Sequence, residues 1–222
     1  MPLALDAFAL RSSEQLDLPK LATLDAPGNH TALSMIGRQA PDFVTRSTKG
    51  EVRLSDLKGR WVLLFCHPAD FTPVCTSEFV ALANKQKQFE ELGVQLLGLS
   101  VDSVFSHMGW AEWIEKEFKI PIKFPILEDI SMSIAQAYGM IDSRNESTAT
   151  VRACFFIDPQ QNIQAAIHYP MHIGRSIDEL IRVQKALIET FQTGKTTPAN
   201  WQPGGEFMSS AADALGGPSA DW

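Results

Sequence analysis

Cysteine is scarce in this chain: its 222 residues include only Cys66, Cys75 and Cys154. Three is an odd number, and no two of them form a Cys-x-x-Cys pair, so a structural disulfide framework is not expected. A redox site built from two closely spaced thiols is also disfavoured, because Thr72 stands where the second thiol would lie relative to Cys75. The sequence therefore offers a single nucleophile rather than a dithiol.

Long hydrophobic runs and blocks of basic residues are also missing. The longest apolar run has about six residues, whereas a transmembrane helix needs about twenty. The net charge of −7 argues against a nucleic acid or an anionic membrane as a partner recruited by bulk charge. The first residues lack the cationic start and the apolar stretch of a signal peptide, so we expect a cytoplasmic protein.

Signals for metal and cofactor binding are weak. His168 and His172 lie four residues apart, but Pro170 between them prevents a shared helical face, and no cluster of carboxylates or cysteines accompanies them. The sequence contains no glycine-rich phosphate loop. We therefore expect neither a metal nor a cofactor.

Chemistry is expected where a strand pattern gives way to a helix pattern. Residues 61–66, all apolar, are typical of a strand buried on both faces. Apolar residues then recur at helical spacing until Gly93 supplies a C-terminal stop. Cys75 lies in the first turn of this predicted helix, where unpaired backbone N–H groups and the helix dipole favour a thiolate. The alternative is an ordinary packing residue, because free cysteine is among the most buried residue types.

The residues before Cys75 suit the start of a helix. Thr72 is the predicted N-cap, with a hydroxyl that can also reach the sulfur, and Pro73 suits the first helical position. Pro68 lacks an N–H group and stiffens the loop that covers the site.

The pattern Pro68-x-x-x-Thr72-x-x-Cys75 resembles the active-site signature of the peroxiredoxins. The resemblance continues through residues 76–78, 151–158 and 174–179 and covers about residues 35 to 205. It implies an α/β fold of the thioredoxin-like, peroxiredoxin type, and the order of the predicted strands and helices agrees with that fold. It also implies that Cys75 reduces a hydroperoxide substrate, with Thr72 and the Cys75 backbone N–H in a cradle for the departing oxygen.

The resemblance implies roles for four further residues. Arg152 begins a strand that the family topology brings beside Cys75, where its cation can hold the thiolate and donate hydrogen bonds to the peroxide. Glu78 and Arg175 resemble the pair in which a carboxylate orients the active-site arginine. His67 resembles a histidine near the nucleophile of one-cysteine members. Each has a plainer alternative: a surface charge for Arg152, a helix-dipole partner for Glu78 and a packing role for His67.

The chain is expected to use one cysteine and an external reductant. After attack, Cys75 would carry a sulfenic acid, which a second thiol must reduce. Two-cysteine members supply that thiol far down the chain, but no cysteine follows Cys154 here. Cys66 and Cys154 lie in predicted strands and are expected to be inert core thiols. The alternatives left open are a peroxide sensor, an oligomeric holdase chaperone and a thiol-disulfide oxidoreductase.

The sequence divides into three predicted segments. Residues 1–34 form an extension, residues 35–193 the peroxiredoxin-like domain, and residues 194–222 a C-terminal arm and tail. Similar proteins use such an arm to pack across a dimer interface, and an exposed Trp201 in the arm would favour a partner surface. We therefore expect a homodimer or a ring of dimers.

Overall fold

A computed structural model describes residues 34–141 and 148–208. Most of the predicted extension, and the end of the predicted tail from residue 209, lie outside the described residues. Within them the chain forms a seven-stranded sheet and four α-helices. None of these helices combines the length and the hydropathy needed to cross a lipid bilayer.

The sheet has a parallel centre with antiparallel strands on both sides. Its strands are β1 Val44–Ser47, β2 Gly50–Arg53, β3 Trp61–Cys66, β4 Val94–Ser100, β5 Ile126–Glu128, β6 Arg152–Ile157 and β7 Ile163–Tyr169. Strands β3, β4 and β5 are parallel, and the hairpins β1–β2 and β6–β7 are antiparallel. The order across the sheet is β2-β1-β5-β4-β3-β6-β7. Because β6 runs antiparallel to β3, its first residue lies beside the end of β3.

Two of the longer helices begin at a serine cap, and the last one ends at a glycine. The Ser103 hydroxyl accepts a hydrogen bond from the Ser106 N–H, and Ser176 caps the last helix through the Glu179 N–H. Gly194 ends that helix with a φ of +66°, a value that glycine adopts without a steric penalty. The helices are α1 Pro73–Glu91, α2 Val104–Phe118, α3 Ser133–Ala137 and α4 Ile177–Thr193.

The sheet separates two hydrophobic cores, and the cysteines are divided between them. Side chains of β3 alternate, so that Leu63 and Phe65 pack on the side of α1, α2 and α4 while Leu64 and Cys66 face the other side. Cys75 and Cys154 belong to the first core. Cys66 therefore lies on the opposite face of the sheet from both other cysteines.

One detail of the packing differs from the expectation. Trp201 would favour a partner surface if it were exposed, but only 4% of it is. Its backbone carbonyl accepts a hydrogen bond from Arg182 of α4, so this part of the arm packs on its own chain.

Candidate active site

The loop of residues 67–72 joins β3 to α1 and is fixed at both ends. The His67 N–H donates to the Leu99 carbonyl oxygen, which extends the pairing of β3 with β4 by one residue. Pro68 is buried. Phe71 has a φ of +59°, an unusual conformation for a bulky residue, which indicates that the surrounding structure imposes the path of the loop.

Thr72 is the N-cap residue of α1 but does not cap it through its side chain. Its hydroxyl donates a 3.0 Å hydrogen bond to the Ala69 carbonyl oxygen within the loop. The hydroxyl has one proton and donates it to Ala69, so it does not donate to the Cys75 sulfur as expected. The Thr72 hydroxyl oxygen remains an acceptor for a molecule beside Cys75.

Cys75 lies in the first turn of α1 with no exposed surface. Its Sγ accepts a 3.3 Å hydrogen bond from Nη1 of Arg152, the first residue of β6. The same guanidinium donates from Nε to the Met171 carbonyl oxygen at 2.7 Å. The antiparallel register of β6 with β3 therefore brings a buried cation to the sulfur, across 77 residues of sequence.

Glu78 holds two arginines in one buried ion cluster. Its Oε2 accepts hydrogen bonds from Arg152 Nη1 at 2.8 Å and from Arg175 Nη2 at 2.7 Å. Its Oε1 accepts from Arg175 Nε at 2.9 Å and from the Arg175 backbone N–H at 2.8 Å. Burial opposes ionisation of this carboxyl, but the hydrogen bonds and charge of Arg175 outweigh it and hold the pKa of Glu78 below its usual value.

The charges of this cluster do not cancel without the sulfur. Two guanidinium groups face one carboxylate, and the three side chains are 3% or less exposed. An unbalanced buried charge is costly, and the balance is restored when Cys75 carries a negative charge. The geometry can therefore hold a thiolate and can donate hydrogen bonds from Arg152 to an oxygen that approaches it.

The other two thiols are buried in surroundings that keep them protonated. Burial raises the pKa of the Cys66 thiol to about 11, although the Ala153 N–H donates to its sulfur. Burial also raises the pKa of Cys154, whose sulfur lies 3.5 Å from Nη1 of Arg175. A protonated thiol is a poor nucleophile, so neither group is disposed toward thiol exchange in the folded protein.

His67 belongs to a second buried cluster that the sequence did not indicate. Its Nε2 lies 2.8 Å from Asp70 Oδ1, and Asp70 Oδ2 lies 2.8 Å from Nδ1 of His107 in α2. No sequence pattern assigned a role to Asp70 or to His107. The only available signal was the position of Asp70 three residues after His67 in the loop.

These three residues also form the one group in the described part of the chain whose ligand atoms lie close enough for a metal ion. Their nitrogen and oxygen atoms already contact one another at hydrogen-bond distance, which leaves no room for an ion between them. His168 lies in β7 and His172 in the turn that follows, and both are exposed. Neither belongs to a cluster of metal-ligand type among the described residues.

The similarity of this chain to known proteins shows which family it belongs to. The sequence profile of the AhpC/TSA family matches residues 36–166. This chain belongs to the AhpC/TSA family. Peroxiredoxin 2 of Thermoplasma acidophilum is 52% identical to it over 180 residues, which are 81% of this chain and 89% of that protein. Membership makes the chain a peroxiredoxin, a thiol-dependent peroxidase, as the resemblance of the active-site segment predicted.

Solved peroxiredoxin structures share the fold. A yeast mitochondrial 1-Cys peroxiredoxin superposes with a TM-score of 0.73 and 39% identity, over 78% of this chain and 84% of the other. The reduced 2-Cys peroxiredoxin of Plasmodium vivax has a TM-score of 0.74 and 33% identity, over 81% and 95%. The predicted thioredoxin-like α/β fold is confirmed. This chain is similar in structure both to a 1-Cys and to a 2-Cys peroxiredoxin.

Proposed function

We propose that this peroxiredoxin is a one-cysteine enzyme in which Cys75 is the nucleophile. The thiolate attacks the terminal oxygen of a hydroperoxide, the O–O bond breaks, and the other oxygen leaves as water or an alcohol after taking up a proton. Cys75 becomes a sulfenic acid. The observation that carries the proposal is the 3.3 Å contact between Arg152 Nη1 and the Cys75 sulfur, in a cluster that is short of one negative charge.

Arg152 and Thr72 have complementary roles in this proposal. The guanidinium stabilises the thiolate and then the negative charge that develops on the departing oxygen. The Thr72 hydroxyl has its proton engaged with Ala69, so it accepts a hydrogen bond from the O–H of the bound hydroperoxide. The buried Pro68, which has no N–H, closes the loop over the sulfur without adding a competing donor.

Glu78 and Arg175 act through Arg152. The carboxylate fixes the position of the Arg152 guanidinium, and Arg175 holds the carboxylate through three hydrogen bonds. Arg175 Nη1 also donates to the carbonyl oxygens of Cys66 and Ala153, which ties the ends of β3 and β6 to the site. Both residues are therefore proposed as positioning residues rather than as groups that touch the peroxide.

A second thiol from outside the chain completes the proposed cycle. The sheet lies between Cys66 and Cys75, so these two residues would need a rearrangement of β3 to form a disulfide. Cys154 shares the core of Cys75 but is buried, protonated and in contact with Arg175. The oxidised sulfur is therefore proposed to be reduced by an external thiol, which forms and then releases a mixed disulfide with Cys75.

Peroxide consumption by wild type and Cys75→Ser, with several thiol reductants, tests the proposal. Wild type is expected to turn over repeatedly with at least one reductant and the variant not at all. Consumption of one equivalent of peroxide with every reductant would favour a sensor. Mass spectrometry of the peroxide-treated protein should find a trapped sulfenic acid at Cys75. A stoichiometric disulfide from Cys75 to Cys154 or Cys66 would overturn the one-cysteine mechanism.

We also propose that the protein works as a homodimer or a ring of dimers, in the reducing conditions of the cytoplasm. Phe71 and Trp113, whose ring centroids are 6.0 Å apart, expose apolar surface beside the active-site loop, and Met108 of α2 is also exposed. Three unpaired cysteines suit a reducing compartment. Sedimentation velocity of wild type and Phe71→Ser would show whether this surface holds subunits together.

A further inference from the structure

His67, Asp70 and His107 form a buried row of hydrogen-bonded side chains. The contacts of His107, at one end of this row, determine where the protons of the row lie. His107 Nε2 is 3.1 Å from the Leu127 carbonyl oxygen in β5, and a carbonyl can only accept a hydrogen bond. His107 Nδ1 is 2.8 Å from Asp70 Oδ2, and an ionised carboxylate also only accepts. With Asp70 ionised, both ring nitrogens of His107 must therefore donate. The two residues then form a buried imidazolium–carboxylate pair.

The charge on Asp70 is supported by its surroundings. Burial opposes ionisation, but hydrogen bonds from His107 and His67 outweigh it and hold the pKa of Asp70 below its usual range. The Asp70 backbone N–H is itself fixed by Asp102 Oδ2 at 3.0 Å. The other charged groups that act on the imidazoles are Arg175, which faces His67, and Glu128, which faces His107.

At the other end of this row, the Nδ1 atom of His67 is an acceptor without a hydrogen-bond partner among the described residues. His67 Nε2 is 2.8 Å from Asp70 Oδ1 and must donate to it, so the proton of a neutral His67 lies on Nε2. Burial lowers the pKa of His67, which keeps the ring neutral. Its Nδ1 is buried without a hydrogen-bond partner among the described residues. The ring packs on Phe79, which lies one helical turn after Cys75 on α1.

We propose that Asp70 and His107 are positioning residues of the peroxidase site, which hold His67 as the Nε2–H tautomer and leave its Nδ1 as a free acceptor beside the Cys75 face of α1. Asp70 orients the ring, and His107 orients and neutralises Asp70. The effect of this arrangement on Cys75 oxidation rests on the proposed peroxidase function. The proton arrangement itself does not.

A metal ion held by the same three residues is the competing interpretation, because their ligand atoms lie within 4.8 Å of one another. A histidine that binds a metal through one nitrogen almost always donates its other N–H to an acceptor. With a metal on Nε2, the Nδ1 proton of His67 would be buried without such an acceptor among the described residues. The hydrogen-bonded arrangement places a lone pair there instead and is therefore favoured.

Nitrogen NMR of the full chain labelled at its five histidines tests the proton arrangement without peroxide. Two protonated ring nitrogens are expected for His107, and protonation of Nε2 alone for His67, at neutral pH. In Asp70→Asn the second proton of His107 should be lost, and His67 should no longer keep one tautomer. A wild-type His67 protonated on Nδ1, an unchanged spectrum in Asp70→Asn, or loss of the ring protons on addition of Zn²⁺ would each overturn the proposal.

The rate of Cys75 oxidation by hydrogen peroxide, measured against pH in a single turnover, tests the functional part. Asp70→Asn should slow it about tenfold to a hundredfold, the range seen when a group that orients a metal-binding histidine is removed, and should change the shape of the pH profile. The matched control is Tyr138→Phe, which removes the hydrogen bond of a different buried side chain, to the Pro41 carbonyl oxygen, in the other core. Its rate and profile should match wild type.

Equal rates for Asp70→Asn and Tyr138→Phe would overturn the positioning role, as would a slower rate in Asp70→Asn with an unchanged pH profile and unchanged ring protons. If Asp70→Asn does not fold by circular dichroism, His107→Gln replaces it, since its amide can donate to Asp70 but cannot carry the charge. The same loss of rate and change of profile is then expected. Absence of peroxidase activity in wild type would overturn the proposed function, while the NMR result would still decide the proton arrangement.

Discussion

Replacing Arg152 with alanine separates the function of the buried ion cluster from its contribution to stability. The variant loses the donor to the Cys75 sulfur, so the second-order rate constant for reaction with hydrogen peroxide should fall about a hundredfold to a thousandfold. That is about 2.7 to 4 kcal/mol of transition-state stabilisation. Glu78 keeps its three hydrogen bonds from Arg175, so no carboxylate is left unpaired. The free energy of unfolding should therefore fall by only about 1–3 kcal/mol.

Stopped-flow tryptophan fluorescence would give the rate, and urea denaturation the stability. Arg182→Ala is the matched control, because Arg182 is also hydrogen-bonded to a glutamate, Glu179, but lies on α4 away from Cys75. It should leave the rate of peroxide reaction unchanged. If Arg152→Ala reacted as fast as Arg182→Ala, the guanidinium would have no part in the reaction and the proposed cradle would be wrong.

Three further predictions follow from the buried groups. Glu78→Gln leaves two buried guanidinium groups without a carboxylate, so the free energy of unfolding in urea should fall by about 3–5 kcal/mol; an unchanged midpoint would contradict this. The double variant Cys66→Ala, Cys154→Ala should keep peroxide turnover with added thiol, and loss of turnover would reveal a resolving cysteine. Thermal stability should fall as the pH is lowered from 6 to 3, because the lowered pKa values of the Asp70 and Glu78 carboxyls stabilise the fold fully only above their ordinary values of 3.8 and 4.5; a melting temperature that is constant from pH 6 to pH 3 would refute it.

The strands next to the site could be predicted closely because their sequences have one reasonable interpretation. Residues 61–66 and 153–157 are short apolar runs, and the structure buries every residue of β3 and β6. Trp201 could not be placed in the same way. Its burial depends on contacts with α4 and with Gly205, which no local pattern records.

The candidate site was predictable only where its residues belong to one local segment or to the family resemblance. Pro68, Thr72 and Cys75 form such a segment, and Arg152, Glu78 and Arg175 were expected by resemblance. The structure brings Arg152 to the Cys75 sulfur, Glu78 to Arg152, and Arg175 to Glu78. The partnership of Asp70 with His107 was missed. The two residues are 37 positions apart, and neither helical nor strand periodicity connects them.

The sequence by itself determined the α/β class and the strand-to-helix turn that carries Cys75, and it limited the cysteines to three with no closely spaced pair. These features depend on local periodicity, helix-start chemistry and cysteine spacing, which act between near neighbours. Only the tertiary structure decided which charges surround the sulfur, which face of the sheet each cysteine occupies, and which side chains contact His67. Those properties depend on distances between strands and helices that are remote in sequence, because burial and electrostatic balance are set by what packs together rather than by what is adjacent in the chain.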